Sequence, residues 1–430
     1  LARCGAMEEA FQVFETLTFP TVFSWTAMIS VCISQGHPEK ALALYRSMES
    51  LGVEPNSYTF VSLFKACGSL FDLKQGKRLH FEARRRGLDS HVFVGSTLVS
   101  MYGKCDAIRE AEDVFANLPR RDSISWNAML TAYVEQGQGK KAMLLYRQMH
   151  AEGVAVNRNT LVFALQACAL LVEKVVSSIN HDTSNDALQT SGSHVKKISI
   201  PQEIGWALHA EVSKRGLLSD IMLVSALVSM YGKCGNTIGA ENVFSLLPSH
   251  DVVTWNAMLS NYTENGQGEK TLDLYRHMRT QGVHIDMCTL VCALQACTEI
   301  CNLDMCKKLH FDSLCAGLDL DYCLSSSLIG AYGNNLDVID ATVVAYGFPQ
   351  LDVVSWNACI SGYAKEGKSE GSLKMFEQMK LENHIPTEAS FTSLLSACNH
   401  DGVVDLGANI FASMGRLYGL NKDINHFVLW

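Results

Sequence analysis

Fifteen cysteines and fourteen histidines are the side chains of this 430-residue sequence best suited to hold a metal or attack a substrate. Seven of the cysteines lie between Cys288 and Cys323. Cys288 and Cys292, like Cys297 and Cys301, are separated by three residues, a spacing that some zinc sites use. No Cys-x-x-Cys pair accompanies them, and Cys301 and Cys306 stand where the equivalent earlier unit has Phe71 and Gly76. Small buried thiols on helices account for the set, and a large helical core needs no disulfide framework. His80-Phe81-Glu82 matches the H-x-E of zinc deaminases, but the P-C-x-x-C that completes that site is absent. Arg84, Arg85 and Arg86 read as a solvated helix end. There is no Gly-rich phosphate loop and no nucleophile–base arrangement, so the sequence predicts no catalytic residue, metal or cofactor. This chain reads as no enzyme.

The same residues are instructive as spacing markers. Trp25, Trp126, Trp255 and Trp356 recur at intervals of 101, 129 and 101, and Cys67, Cys168, Cys297 and Cys398 repeat those intervals. His80, His209 and His310, each after Leu, follow at 129 and 101. One insertion of 28 residues between Cys168 and His209 explains every long gap. Each period divides into units of 35, 35 and 31 residues: 22–56, 57–91 and 92–122; 123–157, 158–220 and 221–251; 252–286, 287–321 and 322–352. A fourth cycle supplies 353–387 and 388–423, then a start at 424–430; residues 1–21 are the tail of an earlier short unit. The chain therefore reads as part of a longer protein, with Leu rather than Met at its start.

Trp126, Met129, Leu130 and Tyr133 lie at i, i+3, i+4 and i+7, one face of a helix. After Gly137, the residues Ala142, Leu145, Tyr146 and Met149 repeat the spacing, and Gly153 marks a helix stop. Each unit is thus a helix hairpin, and hairpins with two apolar stripes must stack on neighbours to bury them. The expected fold is all-α, a right-handed superhelical solenoid of helix-turn-helix repeats. Residues 173–200, rich in Ser, Asn, Asp and Thr, read as a disordered surface loop. A hydrophobic content of 48% excludes a disordered chain as a whole. The longest apolar run, Leu161 to Val172, is 12 residues against the roughly 18 needed to span a bilayer, so no membrane partner is expected. Thirty-five basic against 44 acidic residues, a charge of −9, argue against a globally basic nucleic-acid binder but permit a local basic groove.

The segments 251–286 (DVVTWNAMLSNYTENGQGEKTLDLYRHMRTQGVHID), 294–321 (LQAC…LH…GLDLD) and 94–122 (VGSTLVSMYGKCDAIREAEDVFANLPRRD) resemble the P, L and S repeats of plant pentatricopeptide-repeat (PPR) proteins. The 35, 35, 31 alternation is that of the PLS subclass, and 391–427 looks like its terminal L-type repeat. The resemblance implies sequence-specific binding of single-stranded organellar RNA, with one base read per repeat. It implies the recognition part of a C-to-U editing or RNA-processing factor. An editing deaminase or another protein of an editing complex would be the protein partner, in mitochondrion or plastid, with the mitochondrion favoured.

In that family the fifth and last residues of P and S repeats read the base edge. Here the pairs are Thr26/Asn56, Ser96/Asp122, Asn127/Asn157, Ser225/Asp251, Asn256/Asp286, Ser326/Asp352 and Asn357/Thr387. An ionised Asp only accepts hydrogen bonds and so matches G or U, whereas Asn also donates and suits A or C. The family pattern pairs fifth-position Thr or Ser with purines and Asn with pyrimidines. The implied target reads A, any, G, C/U, any, G, U, any, G, pyrimidine, because Val61, Val162 and Val291 at the fifth position of L repeats offer no hydrogen bond. Phe23, Phe93, Ile124, Met222, Val253 and Val354 at second positions could sandwich bases, and Lys104, Lys233 and Lys365 could meet phosphates. The third S repeat departs from pattern, with Cys323 for the large apolar residue and Asn334 for Lys. The rival class is a protein–protein scaffold of the tetratricopeptide type. Its uniform 34-residue unit and Leu-Gly after Trp contrast with the alternating lengths and Asn-Ala here, while the negative charge favours it.

Overall fold

A computed structural model describes residues 7–17, 19–182, 191–318, 321–347, 351–420 and 426, with the side chains of 176–200 and of residue 322 outside the description. Every regular element among the described residues is an α-helix. The chain divides into two compact units, Leu1–Cys234 and Gly235–Trp430.

The first unit holds α1 (Met7–Glu15), α2 (Val22–Ser34), α3 (Pro38–Ser50), α4 (Ser57–Leu70), α5 (Leu73–Arg85) and α6 (Val92–Lys104). It continues with α7 (Ile108–Asn117), α8 (Ser123–Glu135), α9 (Gly139–Ala151), α10 (Arg158–Asp182), α11 (Ser191–Lys214) and α12 (Ile221–Lys233). The first helices of successive repeats pack in a row, α2 on α4, α4 on α6, α6 on α8, α8 on α10 and α10 on α12. Each second helix wedges against its own partner and the next first helix, as α9 does against α8 and α10.

The second unit repeats this with α13 (Thr237–Phe244), α14 (Val252–Glu264), α15 (Gly268–Thr280), α16 (Met287–Ile300), α17 (Leu303–Cys315) and α18 (Tyr322–Asn334). Beyond them lie α19 (Val338–Tyr346), α20 (Val353–Lys365), α21 (Ser369–Leu381), α22 (Glu388–Asp401) and α23 (Val404–Tyr418). Here α14, α16, α18, α20 and α22 form the row of first helices.

Local sequence explains the hairpins. Gly137, at φ +61°, closes α8 with a Schellman motif in which Gln138 N donates to Tyr133 O and Gly137 N to Val134 O. The fully buried Trp126 meets Phe115 edge-to-face with ring centroids 5.1 Å apart, and Trp255 meets Phe244 in the same way at 5.3 Å. The short repeats at 92–122 and 221–251 thus supply the aromatic partner of the tryptophan that follows. Gly103 brings α6 against α8: a Cβ there would lie 2.6 Å from the Ala132 Cβ.

The loop expected at 173–200 is corrected over most of its length. The backbone is helical through Asp182 and again from Ser191, while 183–190 lie outside the described residues. Glu173 stands where Asp72 and Asn302 cap the next helix in the equivalent repeats, so no cap starts a second helix there, and the run from Thr160 to Thr190, without Gly or Pro, stays helical through Asp182.

Candidate nucleic-acid interface

The last residue of each P or S repeat is the N-cap of the next first helix, so its side chain is fixed by orphan backbone N–H groups. Asn56 accepts from Thr59 N at 2.9 Å, Asp122 from Ser125 N at 2.9 Å and Asn157 from Thr160 N at 3.0 Å. Asp251, Asp286 and Asp352 accept from Thr254 N, Thr289 N and Ser355 N at 2.8, 2.9 and 2.7 Å. At Thr387 the backbone N–H donates instead to Ser390 Oγ at 3.0 Å. In Asp122, Asp251 and Asp352 the cap engages Oδ1. The second oxygen is a further acceptor.

The fifth residue sits one turn into the preceding first helix, across the seam between repeats. Where it is Asn, it reaches the last residue: Asn127 Nδ2 donates to Asn157 Oδ1 at 3.2 Å, and Asn357 Nδ2 to Thr387 Oγ1 at 3.1 Å. Asn256 Nδ2 lies 2.9 Å from both carboxylate oxygens of Asp286. Where it is Thr or Ser, the seam differs. Thr26 and Ser326 bond the hydroxyls of Thr59 and Ser355, each at 2.7 Å, instead of Asn56 or Asp352. Ser96 and Ser225 donate back to Val92 O and Ile221 O of their own helices at 2.7 and 2.8 Å. Ser225 belongs to the first unit and Asp251 to the second.

The second-position residues are large apolar side chains left in solvent. Phe23, Phe93, Ile124, Met222, Val253 and Val354 are between 53% and 75% exposed. Tyr58, the second residue of the first long repeat, is 70% exposed and was not singled out by sequence reasoning. Lys104 and Lys365 are exposed. Lys365 hydrogen-bonds Asn334 Oδ1, whereas Lys233 Nζ pairs with Glu173 at 3.2 Å.

A buried hydroxyl three residues beyond the cap was also missed. Thr59, Thr160, Thr289 and Ser390 are completely buried. The oxygen accepts from the N–H of the cap residue at 3.2, 3.3, 3.4 and 3.0 Å respectively, as a capping box requires. In three cases it also donates to the fifth-position Oδ1: Thr160 to Asn127 at 2.8 Å, Thr289 to Asn256 at 2.7 Å and Ser390 to Asn357 at 2.5 Å. The recurring hydroxyl in NSYT, NRNT, DMCT and TEAS carried the signal.

The histidines and cysteines take structural positions. His80, His209 and His310 place Nδ1 2.8, 2.7 and 3.0 Å from the hydroxyls of Tyr102, Tyr231 and Tyr332 in the following repeat. Burial holds His80 and His209 below the ordinary imidazole value and pushes Tyr102 up to about 12. Among the described residues no group of three His, Cys, Asp or Glu could hold a metal ion. The reading of the cysteines as buried holds for Cys297 and Cys306 but is corrected for Cys288, Cys301, Cys315 and Cys323, which are exposed, and Cys292 is half-buried. Cys288 occupies a second position, and Cys301 caps α16 in the left-handed conformation at φ +52°.

The profile of the PPR repeat family matches residues 20–69, 121–169, 250–299 and 351–400, and that of the PPR repeat matches 223–252. A pentatricopeptide repeat-containing protein of Arabidopsis thaliana is 31% identical over 99% of this chain and 58% of its own length. Two more from Arabidopsis thaliana, one designated chloroplastic and one mitochondrial, are each 29% identical over 99% of the chain and 49% and 58% of their own lengths. The chain thus spans about half the length of these curated relatives. Among solved structures, the pentatricopeptide repeat protein PPR10 from maize aligns over the whole chain and 69% of its own, with 18% identity and a TM-score of 0.50. PPR10 in complex with an 18-nt psaJ RNA element aligns over the same shares with a TM-score of 0.52. With its family profiles matched in all four cycles and its helix hairpins stacked in the same fold, the chain belongs to the pentatricopeptide-repeat family.

Proposed function

We propose that this chain binds single-stranded RNA sequence-specifically, with one base facing each repeat and the fifth/last pairs of P and S repeats choosing among bases. The carrying observation is the coincidence, repeat after repeat, of a half-buried polar seam with an exposed apolar side chain at the second position. A flat apolar surface binds a base face, and the adjacent donors and acceptors meet its edge. The pairs read A, any, G, C/U, any, G, U, any, G, pyrimidine, from 5′ to 3′ along the chain. Lys104, Lys233 and Lys365 supply phosphate contacts, Lys233 by exchanging Glu173 for the backbone.

The PLS alternation supports a role in organellar RNA editing or processing, in company with a deaminase. The chloroplastic and mitochondrial designations of the relatives support an organellar location. The 18-nt RNA element in the PPR10 complex supports the ligand class. Selection of bound RNAs from a random single-stranded pool, at one stated salt concentration, tests the reading. Enrichment of that ten-position motif is expected. Recovery of unenriched RNA with a steep salt dependence would mark a phosphate binder instead, and recovery of no RNA would favour a protein scaffold.

A further inference from the structure

We infer that the buried hydroxyl at the third position of the following repeat, Thr160, Thr289 and Ser390, acts as a positioning residue that fixes which end of the fifth-position carboxamide faces RNA. This rests on the base-reading proposed above. A carboxamide is nearly symmetric in shape, so a half-turn of Asn256 about its last bond exchanges donor and acceptor at little steric cost. U and C are also alike in shape, and differ chiefly in having donor and acceptor exchanged at N3 and C4. An Asn free to turn would therefore accept either pyrimidine.

The seam removes that freedom. The N–H of Asp286 donates to Thr289 Oγ1 at 3.4 Å, and the Thr289 proton has two acceptors in reach, Asn256 Oδ1 at 2.7 Å and Asp286 Oδ1 at 2.9 Å, the first being the shorter. The opposite side of the amide meets the Asp286 carboxylate, which can only accept. Turning Asn256 would set its oxygen against that carboxylate and give up the Thr289 proton to Asp286 Oδ1, so hydroxyl and carboxylate hold the same orientation together. The orientation is thus inherited from the N-terminus of α16. Asn127 with Asn157 and Thr160, and Asn357 with Thr387 and Ser390, repeat the arrangement. Asn157 and Thr387 can donate as well as accept, which fits the reading of those two pairs as C/U and as a pyrimidine.

The test compares wild type, Thr289→Val and Thr289→Ser against two RNAs that differ only in U or C opposite the 252–286 repeat. A single mismatched base typically costs a specific complex roughly five- to 150-fold in affinity. Wild type is expected to prefer U in that range, Thr289→Val to narrow the preference by about threefold or more with Asp286 alone left to hold the amide, and Thr289→Ser to restore it. A merely structural role would weaken both RNAs and leave their ratio intact. That outcome overturns the inference. A wild type that binds U and C alike would instead overturn the base-reading itself, and the positioning role with it. Thr289→Ala, which removes the same oxygen with a smaller side chain, gives the same comparison at the same position should Thr289→Val fail to fold, and an unchanged ratio again overturns the inference.

Discussion

Asn256 and Asp286, thirty residues apart in the chain, are joined by two contacts of 2.9 Å from one amide nitrogen to both carboxylate oxygens. The same carboxylate caps α16 through Thr289 N. One aspartate therefore caps a helix and closes the seam to its neighbour, so in the proposed mode of binding base reading and helix capping would share the residue. A base entering this seam must share or displace the Asn256 bonds. The energy difference between bases is consequently set against a partner already in place.

The His–Tyr bonds between long and short repeats predict a pH response. Burial keeps His80 and His209 below the ordinary value of 6.5, so on acidification the unfolded chain takes up protons before the folded one. Stability is fully present above about 6.5 and declines as pH falls below it. Glu241, held below 4.5 by its hydrogen bonds from Lys270 and Tyr262, adds a further loss in more acidic solution, as does Glu110 through Lys77. Urea unfolding at about pH 7.5 and 5.5 should show a lower midpoint at the acidic value. Tyr102→Phe should cost about 0.5–1.5 kcal/mol by removing the hydrogen bond to the half-buried His80 imidazole. Equal midpoints at both pH values would mean the histidines titrate normally.

Thiol reactivity should divide sharply. Burial pushes Cys67, Cys168, Cys297, Cys306 and Cys359 up to about 12, whereas Cys288, Cys301, Cys315 and Cys323 are exposed. Alkylation of the native chain near pH 8, followed by peptide mapping, should label the exposed four first and the buried five only on unfolding. Rapid labelling of Cys297 would show that the long-repeat core opens.

Removing the insertion should be tolerated. Deleting the 28 residues 173–200 leaves α10 ending at the buried Val172 and α11 starting at Pro201, lengths close to those of α16 and α17. Cooperative unfolding and RNA affinity should survive, with loss of the exposed Glu173–Lys233 pair making little difference. Broad, non-cooperative unfolding of the deletion variant would place the segment within the stack.

The hairpins were legible because Trp126, Met129, Leu130 and Tyr133 carry a helical period that tertiary packing reinforces. The seam was legible only in part. The fifth and last residues could be named by resemblance, but Thr289 could not, since its partner Asn256 is 33 residues away on another helix and only packing brings them together. The helical extensions of α10 and α11 were hidden by composition: Ser, Asn and Asp favour loops, yet α10 meets neither Gly nor Pro after Thr160, and α11 runs on through Gly192 and Pro201. Cys288 and Cys301 were misjudged because a thiol's residue type does not reveal which face of the helix carries it.

The central claim, that these pairs read bases, is tested most directly by exchanging one of them. Asn256→Thr keeps the Asp286 acceptor, which matches the N–H edge of either U or G, while replacing the pyrimidine-type fifth residue with a purine-type one. Affinities of wild type and variant are measured for two RNAs that differ only in U or G at that position. The account predicts that wild type prefers U and the variant prefers G, each by roughly five- to 150-fold, with flanking positions unaffected. A variant that weakens both RNAs alike, or changes neither, would contradict it.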